Sequence, residues 1–124
     1  MSVLLDTHVV IWWLTDDATL AGDIKEFLDH EPDVYVSVAT IWETAAKQAL
    51  GKLPEPKDLP ERVRDSGFGV LTIRADHVLV AARLPLLHRD PFDRLLIAQA
   101  ACEGLTLFSR DTEIARYDVD VRRV

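Results

Sequence analysis

Apolar residues recur along this chain in two alternating rhythms, short runs and helical stripes. Val3-Leu4-Leu5 is an apolar run too short for a helix, and Asp6-Thr7 closes it, which predicts a buried strand feeding a polar helix start. Val9, Val10, Trp12, Trp13 and Leu14 crowd the short helix that follows, and Leu20, Ile24, Phe27 and Leu28 repeat at helical spacing. Val34-Tyr35-Val36, after Asp33, predicts a second strand. Beyond Ser37, a helical stripe of Val38, Ile41, Trp42, Ala45, Ala46 and Ala49 stops at Gly51, and Glu43 falls outside it. Pro54, Pro56 and Pro60 punctuate a loop before a weaker helix from Glu61 to Asp65. Gly67 to Ile73 predicts a third strand, and Ala75 to Leu84 a helix that Pro85 ends. Asp90-Pro91 opens a helix carrying Phe92, Leu95, Leu96, Ala98, Ala100 and Ala101, with Gly104 where a left-handed C-terminal residue belongs. Leu105 to Phe108 is the fourth strand, a short helix runs from Asp111 or Thr112 to about Tyr117, and Val119 to Val121 is the fifth strand.

Strands separated by helices predict an α/β domain with a mostly parallel sheet, because parallel neighbours need a crossover that a helix supplies. Helices then cover both faces, and ligands sit beyond the carboxyl ends of the strands. At 124 residues, 48% apolar and 28% charged, the chain reads as one domain over residues 1–124, able to fold without disulfides or a structural metal. Its single cysteine, Cys102, excludes disulfide scaffolds, Cys-type zinc sites and iron–sulfur centres and reads as a small buried hydrophobe.

A net charge of −7 repels polyanions and anionic membranes overall, so any polyanion must be met locally. The longest apolar run, Val9 to Leu14, is far shorter than a membrane span, and Met1 to Leu5 lacks a basic leader. A cytoplasmic protein with no membrane contact is expected.

Candidate chemistry lies in four acids. Asp6 follows strand one and Asp111 follows strand four, so both emerge at one sheet edge; Asp93 in a first helical turn and Glu43 within the helix after strand two are brought near it by helix orientation. Each also has a plain structural role: Asp6 and Asp111 as helix N-caps, Asp93 against the helix dipole, Glu43 paired with Lys47. Asp90, before Pro91, is best read as a cap. Clustered carboxylates repel one another unless a cation compensates, and oxygen ligands without cysteine or patterned histidine point to Mg2+ or Mn2+. Such a site suits phosphodiester hydrolysis. No phosphate-binding glycine loop or Gly-x-Ser-x-Gly elbow is present. His8, His30, His77 and His88 lack zinc-ligand spacing and read as exposed structural residues, although His8 and His88 lie beside acids and suit substrate contact. Trp12, Trp13 and Trp42 read as core or interface residues, and the crowding at Trp12 and Trp13 predicts contact with a second protein.

Four segments resemble the PIN-domain family, and within it the VapC toxins of bacterial type II toxin–antitoxin systems: Leu4 to Val9 (LLDTHV), Ser37 to Glu43 (SVATIWE), His88 to Ala100 (HRDPFDRLLIAQA) and Leu107 to Asp111 (LFSRD). They span nearly the whole chain, and the third is the most specific. The resemblance implies a PIN-like three-layer α/β/α sandwich with about five strands, and maps an acidic metal-binding and catalytic quartet onto Asp6, Glu43, Asp93 and Asp111. It further implies Mg2+-dependent cleavage of RNA, a homodimer and a small inhibitory antitoxin. Hydroxyls near the metal correspond to Thr7 and Ser109, and Arg110 stands where many relatives carry an uncharged polar residue. Lys47, Lys52, Arg89 and Arg94 are candidate phosphate contacts, with Arg94 equally suited to bracing a carboxylate. The alternatives are another metal-dependent phosphoesterase or a noncatalytic partner-binding domain.

Overall fold

The computed structural model describes residues 1–54 and 56–124; Glu55, in the proline-rich connection, lies outside them. Five strands, β1 (Val3–Leu5), β2 (Val34–Ser37), β3 (Gly69–Leu71), β4 (Thr106–Ser109) and β5 (Val121–Arg123), form one sheet in the order β3-β2-β1-β4-β5. Every pairing is parallel, with Leu4 opposite Tyr35 on one side and Leu107 on the other. Among the described residues six α-helices accompany them: α1 (Thr7–Leu14), α2 (Gly22–His30), α3 (Val38–Ala49), α4 (Leu59–Asp65), α5 (Ala75–Arg83) and α6 (Pro91–Glu103).

Period-two alternation splits the core between the two faces of the sheet. Val3, Leu5 and Phe108 pack with Val9, Val10, Ile24, Leu28 and Val63 of α1, α2 and α4. Leu4 and Leu107 point the other way, into Leu95, Leu96, Ile97 and Ala100 of α6. The result is the expected α/β arrangement with helices on both faces. Because the chain moves from β1 to β2 and β3, then returns to place β4 on the far side of β1, the strand order reverses between β1 and β4. Their carboxyl ends therefore flank the crevice where open parallel sheets bind ligands.

Boundaries moved where local turns override the apolar pattern. The segment after β4 is a single 3-10 turn at Ile114–Arg116 rather than a helix, since Asp111 Oδ1 accepts from the Glu113 N–H at 2.8 Å and fixes a tight turn. A second turn, Val119 N–H to Tyr117 carbonyl, delays β5 by two residues. Gly67, at φ 80°, turns the chain after α4 and shortens β3, whereas Gly104, at φ 66°, ends α6 as its position predicts.

Four expectations from apolar spacing are corrected. The buried side of α3 is Ala39, Thr40, Glu43 and Thr44, while Trp42, assigned to the stripe, is 58% exposed. Thr40 and Glu43 turn inward because they meet the Thr7 hydroxyl at the start of α1. Cys102 is exposed, for α6 is enclosed from Arg94 to Ala100 and emerges from the protein in its last turn. His77 is fully buried, its Nδ1 accepting from the Arg74 N–H at 3.1 Å to close the first turn of α5. Trp13 packs on Phe68 at 4.7 Å between ring centres, so the crowding on α1 is largely resolved inside the chain. Among the described residues, no helix is long and apolar enough to cross a membrane.

Candidate metal centre

Asp6, Glu43, Asp93 and Asp111 all line one cavity of about 370 Å³, together with His8, Trp12, Lys47, Asp90 and Arg110. The positions follow from the fold. Asp6 is the first residue after β1 and the N-cap of α1: its Oδ1 accepts from the Thr7 N–H at 2.7 Å, and its Oδ2 accepts from the Ser109 hydroxyl at 2.7 Å. Ser109, the last residue of β4, also accepts from the Asp111 N–H at 3.0 Å, so one hydroxyl ties the two strand ends together. Glu43 enters from α3, with Oε1 accepting from the Thr7 hydroxyl at 2.8 Å and Oε2 from Lys47 Nζ at 2.6 Å. Asp93 lies in the first turn of α6, while Asp90 caps that helix, its Oδ1 accepting from the Phe92 and Asp93 N–H groups at 2.8 and 3.1 Å.

Thr7 and Ser109, the hydroxyls expected near the metal, donate to Glu43 and Asp6 and are buried, which leaves them no free hydrogen for a substrate. Arg94 is corrected more sharply. Its buried guanidinium donates to the carbonyls of Ala81, Leu84, Pro85 and His88 and lies 3.4 Å from the Tyr117 hydroxyl, which leaves it neither a phosphate contact nor a brace for a carboxylate. Arg89 and Lys52 are exposed, and neither lines this cavity. Lys47 does.

His88 stands outside the predicted acidic set in sequence and joins it in space. Its Nε2 is 2.9 Å from Asp93 Oδ2 and is hydrogen-bonded to Asp111 Oδ2 at 3.0 Å, and the three atoms lie within 4.8 Å of one another. Nδ1 accepts from the Asp90 N–H at 3.3 Å, which places the ring proton of the neutral form on Nε2, facing the acids. Tyr117 fixes this turn from across the fold, accepting from the Leu87 and His88 N–H groups and donating to the Pro85 carbonyl at 2.6 Å. Nothing in the spacing of Tyr117 announces that role; the adjacency of His88 to Asp90 was the available signal for the histidine.

Electrostatics mark the cavity. Burial, then the charges of Asp6 and Asp90, push the Asp93 carboxyl up to about 7 against the opposing pull of His88. Burial also raises Asp6, although the Ser109 and Thr7 hydrogen bonds oppose it. Burial pulls His88 down, but the Asp111 hydrogen bond and the neighbouring aspartates hold it above its ordinary value. Lys47 is raised chiefly by its bond to Glu43. The site thus holds more negative charge than its own cations neutralise, and its carboxylate oxygens suit a hard divalent cation.

A family model of the PIN domain matches residues 3–120. This chain belongs to the PIN domain family. Ribonuclease VapC22 of Mycobacterium tuberculosis is 29% identical over 120 residues, covering 91% of this chain and 89% of that protein. Among solved structures, VapBC2 from Rickettsia felis bound to a DNA fragment from its promoter matches with a TM-score of 0.75 at 14% identity, covering 99% of this chain and 98% of that one. DNA-bound VapBC from Salmonella typhimurium matches with a TM-score of 0.72 at 15% identity over the same shares. At those identities the likeness concerns the fold. In this chain the four acids stand at the crevice between β1 and β4.

Proposed function

We propose that this PIN-domain chain is a divalent-metal-dependent endoribonuclease, the toxin of a VapBC-type pair, restrained by a small antitoxin protein. The observation that carries the reading is the convergence of Asp6, Glu43, Asp93 and Asp111 in one crevice with two of their carboxyls raised by burial. The likeness to a relative named as a ribonuclease and to VapBC assemblies supports the substrate and the partner.

Asp6, Asp93 and Asp111 are the residues that would hold Mg2+, with Mn2+ as a substitute, and Glu43 acts beside them through water. When bound, the cation supplies charge that draws in the phosphodiester and offsets charge developing on its oxygens. Ser109 fixes the rotamer of Asp6, and Thr7 with Lys47 fixes that of Glu43, so the carboxylates are set before substrate arrives. Glu43 is positioned to orient an attacking water and take its proton. Lys47 contributes positive charge for the RNA backbone. A homodimer belongs to the same reading, and its surface shifts from the expected Trp12 and Trp13 to exposed Trp42 and Val78, which share an apolar cavity of about 310 Å³.

The test is cleavage of single-stranded RNA by purified protein. Mg2+ should support it, chelator should stop it, and Asp6→Asn or Asp93→Asn should abolish it while the circular dichroism spectrum stays native. Mapping new RNA 5′ ends after induced expression would then report the target. Cleavage that persists in chelator overturns the metal mechanism, and a folded wild-type protein inert on RNA overturns the reading.

A further inference from the structure

Beside the carboxylate cavity lies a second one of about 410 Å³, lined by His8, Ile11, Trp12, Lys47, Lys52 and Leu53, together with Asp17. His8, Trp12 and Lys47 line both, so the two cavities adjoin through α1 and α3. Their charge balance differs. The first holds five acids against Lys47 and Arg110; the second has Lys52 and Asp17 besides Lys47, whose Nζ is bonded to Glu43 Oε2 at 2.6 Å. In a chain of net charge −7 this near-neutral patch, with Lys52 exposed on its wall, gives an RNA phosphate less repulsion than the carboxylate cavity does. Its other walls are apolar or aromatic. Trp12 is steadied by the Arg110 guanidinium, 4.7 Å from its ring centre, and Arg110 is in turn held by the Val124 and Thr19 carbonyls.

We propose that this second cavity takes the nucleotide adjoining the bond that is cut. Its base packs against Trp12, His8 and Ile11, its phosphate meets Lys52, and Lys47 serves both cavities. Aromatic and apolar walls beside lysines suit a single-stranded nucleotide, because every base presents a π face and every linkage a charge. The inference rests on the ribonuclease reading and adds a substrate-binding position to it.

Kinetics on two substrates test it: a single-stranded RNA, and bis(p-nitrophenyl) phosphate, a diester with no nucleotide to fill the second cavity. Lys52→Ala should raise KM for RNA roughly three- to tenfold and flatten the log–log salt dependence by about 0.7, the share of one phosphate contact on a single strand. Its kcat on RNA and its hydrolysis of the small diester should match wild type. In parallel, RNA bearing 4-thiouridine beside the cut position should photocrosslink to His8, Ile11 or Trp12 in the cleavage-silent Asp93→Asn protein. Equal losses on both substrates, an unchanged KM and salt slope, or crosslinks confined to other segments overturn the inference; an unchanged KM without a crosslink leaves the cavity to a protein partner. Wild-type protein inert on RNA would sink the ribonuclease reading, and the crosslink alone would then decide whether the cavity holds a nucleotide.

Discussion

Replacing Asp93 with asparagine should stabilise the metal-free protein. Raised to about 7, the Asp93 carboxyl sits roughly three units above its ordinary value, so its ionised form costs the folded state about 4 kcal/mol above pH 7. Asparagine removes that charge at nearly constant shape. The pull of His88 Nε2, 2.9 Å away, is already contained in that value; what asparagine forfeits besides is the favourable placement of an acid in a first helical turn, worth about 0.3–1 kcal/mol. A net gain of about 3 kcal/mol remains, and for a chain of this length it raises Tm by roughly 12 °C. Because the folded pKa is raised, the wild-type penalty is absent below the ordinary carboxylate value, grows as pH rises, and is complete above about 7. The two proteins should therefore melt nearly together at pH 4 and apart at pH 8 in chelator. Magnesium reverses the order of benefit, since a ligand at a hundredfold excess over its Kd stabilises wild type by about 2.7 kcal/mol while the variant has lost a ligand. Thermal melts of both proteins, at both pH values, with chelator and with millimolar Mg2+, read every term. If the variant melts lower at pH 8 in both conditions with an equal magnesium shift, Asp93 is a structural helix-terminal acid and the four-carboxylate site is wrong.

Other outcomes follow from neighbouring contacts. Asp90→Asn should retain most RNA cleavage, because asparagine also caps a helix, whereas Asp93→Asn should lose it; the reverse pattern in a cleavage assay would exchange their roles. Arg94→Lys strips carbonyl partners from the turn that carries His88 and should lower unfolding free energy by about 2–4 kcal/mol in urea, with no compensating gain at high salt. His88→Ala frees Asp93 and Asp111 from the imidazole, so the magnesium concentration giving half the thermal shift should fall up to about tenfold, the equivalent of one hydrogen bond to a charged group; a rise instead would make His88 a metal ligand. Gly69→Ala drives a Cβ to within 2.7 Å of the Tyr35 ring and should cost about 1–3 kcal/mol, measured by denaturant melts.

What the sequence made legible and what it hid have separate physical causes. Strands such as Val3–Leu5 and the reversal at Gly104 announce themselves because burial on both faces and a left-handed residue leave a local mark in composition. Asp6 and Asp111 were readable for the same reason: they stand next to strands whose ends must meet at one edge. Glu43 was harder, because apolar periodicity describes a helix by the core it touches, and α3 instead turns Thr40 and Glu43 toward Thr7 at the start of α1. Arg94 misled for the opposite reason. A charge beside a candidate site suggests a ligand contact, yet the turn from Pro85 to His88 leaves carbonyls without helical or strand partners, and a five-donor guanidinium satisfies them.

That turn also explains why His88 and Tyr117 matter together. A loop free to move would let the imidazole wander, but Arg94 holds its carbonyls and Tyr117 its N–H groups, so Nε2 is delivered between Asp93 and Asp111 by contacts up to 30 residues apart in sequence. The acids face one another across the crevice because strand order forces β1 and β4 together, and they are held close because a second layer of Ser109, Thr7, Lys47 and His88 engages their oxygens. Loss of a hydroxyl in that layer should therefore disturb the site while sparing the fold. Ser109→Ala removes the one lowering hydrogen bond from a side chain on Asp6 and leaves burial opposed chiefly by the Thr7 N–H, so the Asp6 carboxyl should rise further and hold its proton to higher pH. Cleavage by Ser109→Ala should then need a more alkaline buffer than wild type, with the acid limb of the pH–rate profile moved upward; a limb that stays in place would mean that Asp6 is not the group whose ionisation limits the reaction.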